Sequence, residues 1–192
     1  MFKKIGIAIL TLFAIVIFFG TLSQALFHSS ASDLTVPQAH ADATVTTDHP
    51  VTLYIPALNI DAKVQQVGLT ISGKMAVPTN YTDVGWYKYG TLPGQTGSAV
   101  IAGHVDDGLA LPGVFINLDQ LKPGDDIYVA MSDKHTLHYV VTNSIAYSKD
   151  ADTSTIFNDK SGKLLKLITC TGTWLPTQST HDQRLVVTAV EK

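Results

Sequence analysis

The chain of 192 residues contains a single cysteine and a single arginine. One thiol excludes an internal disulfide, so Cys170 is either an inert packed side chain or a free nucleophile. The other twelve basic residues are all lysine. A guanidinium reserved for position 184 points to planar, forked hydrogen-bond donation, which an ammonium does not supply. A basic stripe is also lacking: the lysines are scattered and the formal net charge is −3, which argues against nucleic acid as a partner. Residues 50–192 hold no internal repeat or low-complexity tract, and no carboxylates with calcium-loop spacing, so no required metal or cofactor is expected. His135 and His138, three apart on one predicted strand, point to opposite faces and cannot jointly ligate a metal.

Long apolar runs are scarce, with one exception. Lys3 and Lys4 precede the uncharged stretch 5–22, whose 18 residues would span roughly 27 Å as a helix, close to the hydrocarbon thickness of a bilayer. The lysines favour the cytoplasmic side, which puts the rest of the chain outside the cell. Ser23-Gln24-Ala25 offers a cleavage site for the competing reading, a removed signal peptide; Ala39-His40-Ala41 lies too far from the apolar run to serve. The retained anchor is the preferred reading. Residues 1–28 are then a cytoplasmic tip and membrane anchor, 29–49 a polar extracytoplasmic linker, and 50–192 one domain with a single core.

Within that domain the apolar residues fall in short β-branched and aromatic runs separated by Gly, Pro, Asn and Asp. Strands are predicted at 51–55, 62–67, 98–103, 126–131, 136–143, 164–170 and 184–190. Helical patterning is sparse, with about two turns at 114–121 and one at 152–157. The fold class is therefore mainly β, an antiparallel barrel or sandwich.

Cys170 ends one predicted strand and Arg184 begins the next, with residues 171–183 as the connecting loop. If these strands pair, both residues sit at one sheet edge. His104 follows a third strand, after Gly103, which would allow close backbone approach to a ligand. A thiolate beside an imidazole is a recurring nucleophile and acid pair. Unperturbed, the thiolate–imidazolium form is only about 1% of the singly protonated pair, so a site must shift these values or work through a minor species. The fixed charge of Arg184 would lower the thiol pKa and could donate to a developing oxyanion. Each residue also has an ordinary reading: core packing for Cys170, a structural role for His104, a surface pair with Asp182 or Glu191 for Arg184. Their coincidence at strand ends favours a site. His181 is the rival to His104 as acid, and Trp174 is a candidate wall for an apolar substrate.

Leu167-Ile168-Thr169-Cys170 followed by Arg184 at a strand start, with Ala102-Gly103-His104 upstream, resembles the sortase family of cysteine transpeptidases. The stretches Ala99-Val100-Ile101-Ala102-Gly103-His104-Val105-Asp106, Pro112-Gly113-Val114-Phe115 and Leu121-Lys122-Pro123-Gly124-Asp125 are similar to the class F sortases. The family's usual first threonine is replaced by Lys166. The resemblance implies a closed barrel of about eight strands, the eighth falling around residues 74–77, preceded by a transmembrane helix. It also implies cleavage of a Leu-Pro-x-Thr-Gly sorting signal after threonine, through a thioester on Cys170, and transfer to a peptidoglycan-precursor amine. In that scheme His104 protonates the leaving amine, Arg184 holds the substrate carbonyl or its oxyanion, and Thr169 orients the substrate strand. Its partners are secreted proteins bearing the signal and a cell-wall amine acceptor. Two alternatives stand beside it. An L,D-transpeptidase would need Ser-x-Gly-Cys-x-Arg, whereas position 172 is Gly; a tethered β-domain that only binds partners would need no accessible thiol.

Overall fold

Period-two burial lays down the strands. In Asp126–Met131 the side chains of Ile127, Val129 and Met131 are buried and the residues between them are half-buried, as expected where one sheet face meets the core. The computed structural model describes residues 48–107 and 111–192. The membrane segment 5–22 and nearly all of the linker lie outside them; no helix among the described residues is long and apolar enough to cross a membrane.

Eight strands close a barrel: β1 Pro50–Ile55, β2 Ile60–Val67, β3 Val84–Tyr87, β4 Gly97–Ala102, β5 Asp126–Met131, β6 Thr136–Ser148, β7 Lys163–Leu175 and β8 Thr180–Glu191. Their spatial order is β1-β2-β3-β4-β7-β8-β6-β5. Two pairs, β2 with β3 and β4 with β7, are parallel; the others are antiparallel. Closure removes every sheet edge.

The eighth strand is Val84–Tyr87 rather than residues 74–77, where Met75 makes only an isolated bridge to Leu69. All four residues of β3 are buried, so it shows no alternation, and Gly85 breaks its β-branched pattern. That glycine is required by packing, since a Cβ there would lie 2.9 Å from the Val67 side chain. The two helical turns expected at 114–121 shrink to a 3₁₀ turn, Leu118–Gln120, and the expected turn at 152–157 is the short helix α1, Ser154–Asn158.

Two apolar layers hold the barrel. Leu53, Ile101, Phe115, Leu165, Leu167 and Val187 belong to the interior cluster. Val100, Ala102, Ile168 and Val186 pack outward against Ile156 and Phe157 of α1 and against Tyr87 and Met75. Covered on both faces, β4 is buried at every position, which explains its unbroken apolar run. This outer layer is what places the site. Residues 168 and 186 face outward, so by alternation 170 and 184 leave their strands on the outward face too.

Candidate active site

Cys170 and Arg184 are direct partners across β7 and β8. The strands run on past them as a long hairpin, so the 13-residue loop expected at 171–183 is replaced by a turn at residues 176–179 and a register shift between Thr171 and Trp174. At the shift Gly172 has φ 81° and lies so close to Asp182 that a Cβ would meet its carboxylate oxygen at 2.2 Å. Only glycine fits that turn of the backbone.

His104 reaches the same level from β4. The parallel register runs unbroken from Gly97↔Lys163 to Ala102↔Ile168. Beyond it the Gly103 amide donates to the Ile168 carbonyl at 3.0 Å, and the Thr169 hydroxyl donates to the Gly103 carbonyl at 2.9 Å. Ladder pairing ends at Ala102↔Ile168, so His104 lies two residues past the end of β4, as Cys170 lies two residues past Ile168 on the neighbouring β7. Thr169 is buried, and its hydroxyl ties β4 to β7 just before His104. Gly103 permits close approach of a different partner from the one expected: a Cβ there would lie 2.5 Å from the Phe115 ring, so the neighbour is protein, not ligand.

His104 is buried, and its ring packs on Tyr81 with centroids 4.8 Å apart. Its Nε2 lies 3.1 Å from the Pro78 carbonyl. A carbonyl only accepts, so Nε2 carries the proton and the neutral ring has its lone pair on Nδ1. Nδ1 is buried without a hydrogen-bond partner among the described residues.

Arg184 is 0% exposed. Its Nη1 donates to the carbonyls of His181 and Gln183 at 2.9 and 2.8 Å, and its Nη2 to the Thr180 hydroxyl at 2.9 Å. The fork that sequence assigned to a substrate thus clasps the returning strand of the hairpin. Burial lowers the guanidinium pKa, opposed by the charges of Cys170, Asp150 and Asp182.

Cys170 is 1% exposed yet belongs to neither apolar cluster. Burial pushes its thiol pKa up; Arg184, the His181 amide and the Thr180 hydroxyl pull it down, and Asp106 raises it. The cover over the sulfur is therefore partly polar. Asp106, from the segment after His104, lies 3.7 Å from His181 Nε2, and the Trp174 ring meets His181 edge-on at 5.2 Å. Trp174 and His181 are register partners, which puts Trp174 in the hairpin beside the site and not in the core. A cavity of about 310 Å³ that Tyr81 helps to line includes neither Cys170 nor His104 in its wall.

His138 is occupied elsewhere, donating to Asp126 at 2.6 Å, and His135 contacts Asp133. The ligand atoms of Asp48, Asp133 and His135 lie within 4.8 Å of one another in a solvent-accessible cluster. Sequence reasoning passed over Pro78, Tyr81, Asp106 and Thr180. Asp106 follows His104 by two residues and was visible; nothing separates Thr180 in sequence from its loop neighbours Thr177 and Ser179.

The sortase domain model matches residues 53–192. The chain belongs to the sortase family. Sortases are cysteine transpeptidases, so the chain is an enzyme of that kind. Among solved structures similar to it are sortase C from Clostridium perfringens SM101, 21% identical with TM-score 0.56, covering 74% of this chain and 69% of that one. Sortase A from Corynebacterium diphtheriae is 24% identical with TM-score 0.58, covering 79% and 63%. Sortase C-1 from Actinomyces oris is 26% identical with TM-score 0.54, covering 79% and 76%. The chain thus spans less than two thirds of the Corynebacterium sortase. A comparison with curated proteins finds no match.

Proposed function

We propose that this sortase is a membrane-anchored transpeptidase that cleaves a Leu-Pro-x-Thr-Gly type signal after threonine and passes the acyl group to a cell-wall amine. The observation that supports it is the direct pairing of Cys170 with Arg184 across β7 and β8, with His104 two residues beyond the end of β4, the strand that pairs with β7. Class F is the subclass its motifs resemble. Residues 5–22 would hold the enzyme in the membrane with the catalytic domain outside.

In this scheme the Cys170 proton passes to His104 Nδ1, while the Pro78 carbonyl holds Nε2–H and stabilises the imidazolium. The thiolate attacks the threonine carbonyl. The bond to glycine breaks as Nδ1 returns its proton to the departing nitrogen, leaving a thioester. An incoming amine then gives a proton to Nδ1 as its nitrogen bonds to the carbonyl carbon and sulfur leaves; sulfur finally recovers that proton. Arg184 supplies positive charge beside the sulfur, and reaches the oxyanion if substrate displaces one of its hairpin contacts. Trp174 walls the substrate, and Thr169 holds the strand that carries His104.

One observation favours a second reading, a binding module: the sulfur is buried. Cys170 belongs to neither apolar cluster, and polar groups of the hairpin and Asp106 act on it, so in this reading access comes by a local opening and not by disruption of the core. Incubating the purified chain with a Leu-Pro-x-Thr-Gly peptide, with and without an amine, separates the two. Mass spectrometry is expected to show an adduct on Cys170 and cleavage after threonine, both abolished in Cys170→Ala. An intact peptide across motif variants would leave only the binding module.

A further inference from the structure

Thr180 has no assigned part in the chemistry, yet it touches the Arg184 guanidinium and acts on the Cys170 thiol. It is the first residue of β8, 6% exposed, and its hydroxyl accepts from Arg184 Nη2 at 2.9 Å. A guanidinium cannot accept, so this contact occupies a lone pair and leaves the hydroxyl proton to be directed elsewhere. Thr180 and the His181 backbone N–H both act to lower the Cys170 thiol pKa, and Cys170 is the cross-strand partner of the arginine that holds Thr180. The same guanidinium fixes that second donor, because Nη1 binds the His181 and Gln183 carbonyls on either side of Asp182.

We propose that Thr180 is a positioning residue for the Cys170 thiolate, its hydroxyl proton turned onto Sγ by Arg184. Arg184 therefore acts on the sulfur in two ways, through its charge and through two neutral donors that it holds in place. This rests on the reading of Cys170 as the nucleophile. A buried anion is stabilised by donors already oriented toward it, because no reorganisation is needed when the charge forms. It also accounts for arginine at this position: one ammonium cannot bind two carbonyls and a hydroxyl in this planar arrangement.

The sulfur faces ionisable groups from two sides. Arg184 comes from β8, with Asp150 and Asp182 acting on it; Asp106, which pairs with His181, comes from the segment after β4. These are common to wild type and Thr180 variants, so they cancel when the variants are compared.

The test is the pH profile of Cys170 alkylation by iodoacetamide, followed by mass spectrometry on the full chain. The midpoint reads the thiol pKa, whereas the plateau reads access. Thr180→Val keeps the shape and removes the donor; its midpoint is expected to rise by about one unit, roughly a tenfold loss of thiolate at neutral pH. Thr180→Ser restores the hydroxyl and is expected to stay near wild type. A Thr180→Val midpoint equal to that of wild type overturns the proposal, as does a Thr180→Ser midpoint that moves with it. Where Thr180→Val fails to fold, Thr180→Ala is read in the same way. Alkylation needs no sorting peptide, so a chain that does not cleave peptide still reports on Thr180. Conversely, an unmoved midpoint in a chain that still forms a Cys170 adduct removes only this inference.

Discussion

Cys170 faces Arg184 directly across the β7–β8 ladder, so the one thiol and the one guanidinium of the chain leave the barrel on the same face. The guanidinium is turned along its own strand, where its donors hold the hairpin backbone. Charge at the sulfur and rigidity of the hairpin thus come from one side chain.

Arg184→Lys keeps the charge and loses the fork. With hydrogen bonds to charged groups worth about 1.5–3 kcal/mol, a fall in stability of that order is expected by thermal or denaturant unfolding. Peptide cleavage should drop at least tenfold, and near-normal turnover would show that charge alone is used.

Asp106 opposes ionisation of the Cys170 thiol and pairs with His181 above it. In Asp106→Asn both effects are removed, so the thiol pKa should fall and the cover should open more readily. Alkylation at neutral pH is expected to quicken roughly three- to tenfold. A slower reaction would mean that Asp106 does not guard the sulfur.

Gly113 lies against the histidine backbone: a Cβ there would stand 2.4 Å from the His104 carbonyl oxygen. That oxygen accepts from the Phe115 amide at 2.9 Å, so it cannot move without breaking a contact. Gly113→Ala is expected to cost about 1–3 kcal/mol and to lower kcat more than it raises KM, because it displaces His104, the proposed acid, and not the peptide. A split the other way would count against this placement of His104.

Tyr139 is buried, its hydroxyl accepts from the Gly94 amide at 2.8 Å, and burial holds its phenol well above the usual range. A group whose folded pKa is raised contributes stability that is complete below its unfolded pKa, about 10 for tyrosine, and declines as pH rises past that value. Tyr139→Phe should therefore lose about 1 kcal/mol at neutral pH but show a flatter decline in unfolding midpoint above pH of about 10. A wild-type slope in the variant would assign the alkaline loss to other groups, such as Cys170.

Much of the barrel could be read from period alone. Strands such as β5, with one face inside and one outside, announce themselves by alternation, and even β4 is visible as an apolar run bounded by glycines. β3 escaped because burial on both faces erases alternation, and a strand of four residues with a glycine in it lacks the length for any other signal. The same limit applied to the hairpin. Polar residues 171–183 resemble a loop in composition, yet their backbone pairs because Gly172 absorbs the register shift and Arg184 clasps the return.

Residue chemistry along the chain was enough to name the sulfur, the imidazole and the guanidinium, since each is rare or sits at the end of an apolar strand, and rarity and strand ends are local properties. The pairing of Cys170 with Arg184, the bond from Thr169 to the Gly103 carbonyl, the contact of His104 Nε2 with the Pro78 carbonyl and that of Thr180 with Arg184 depended on folding. Those depend on which strands become neighbours and in what register, a matter of non-local pairing that no stretch of residues carries within itself.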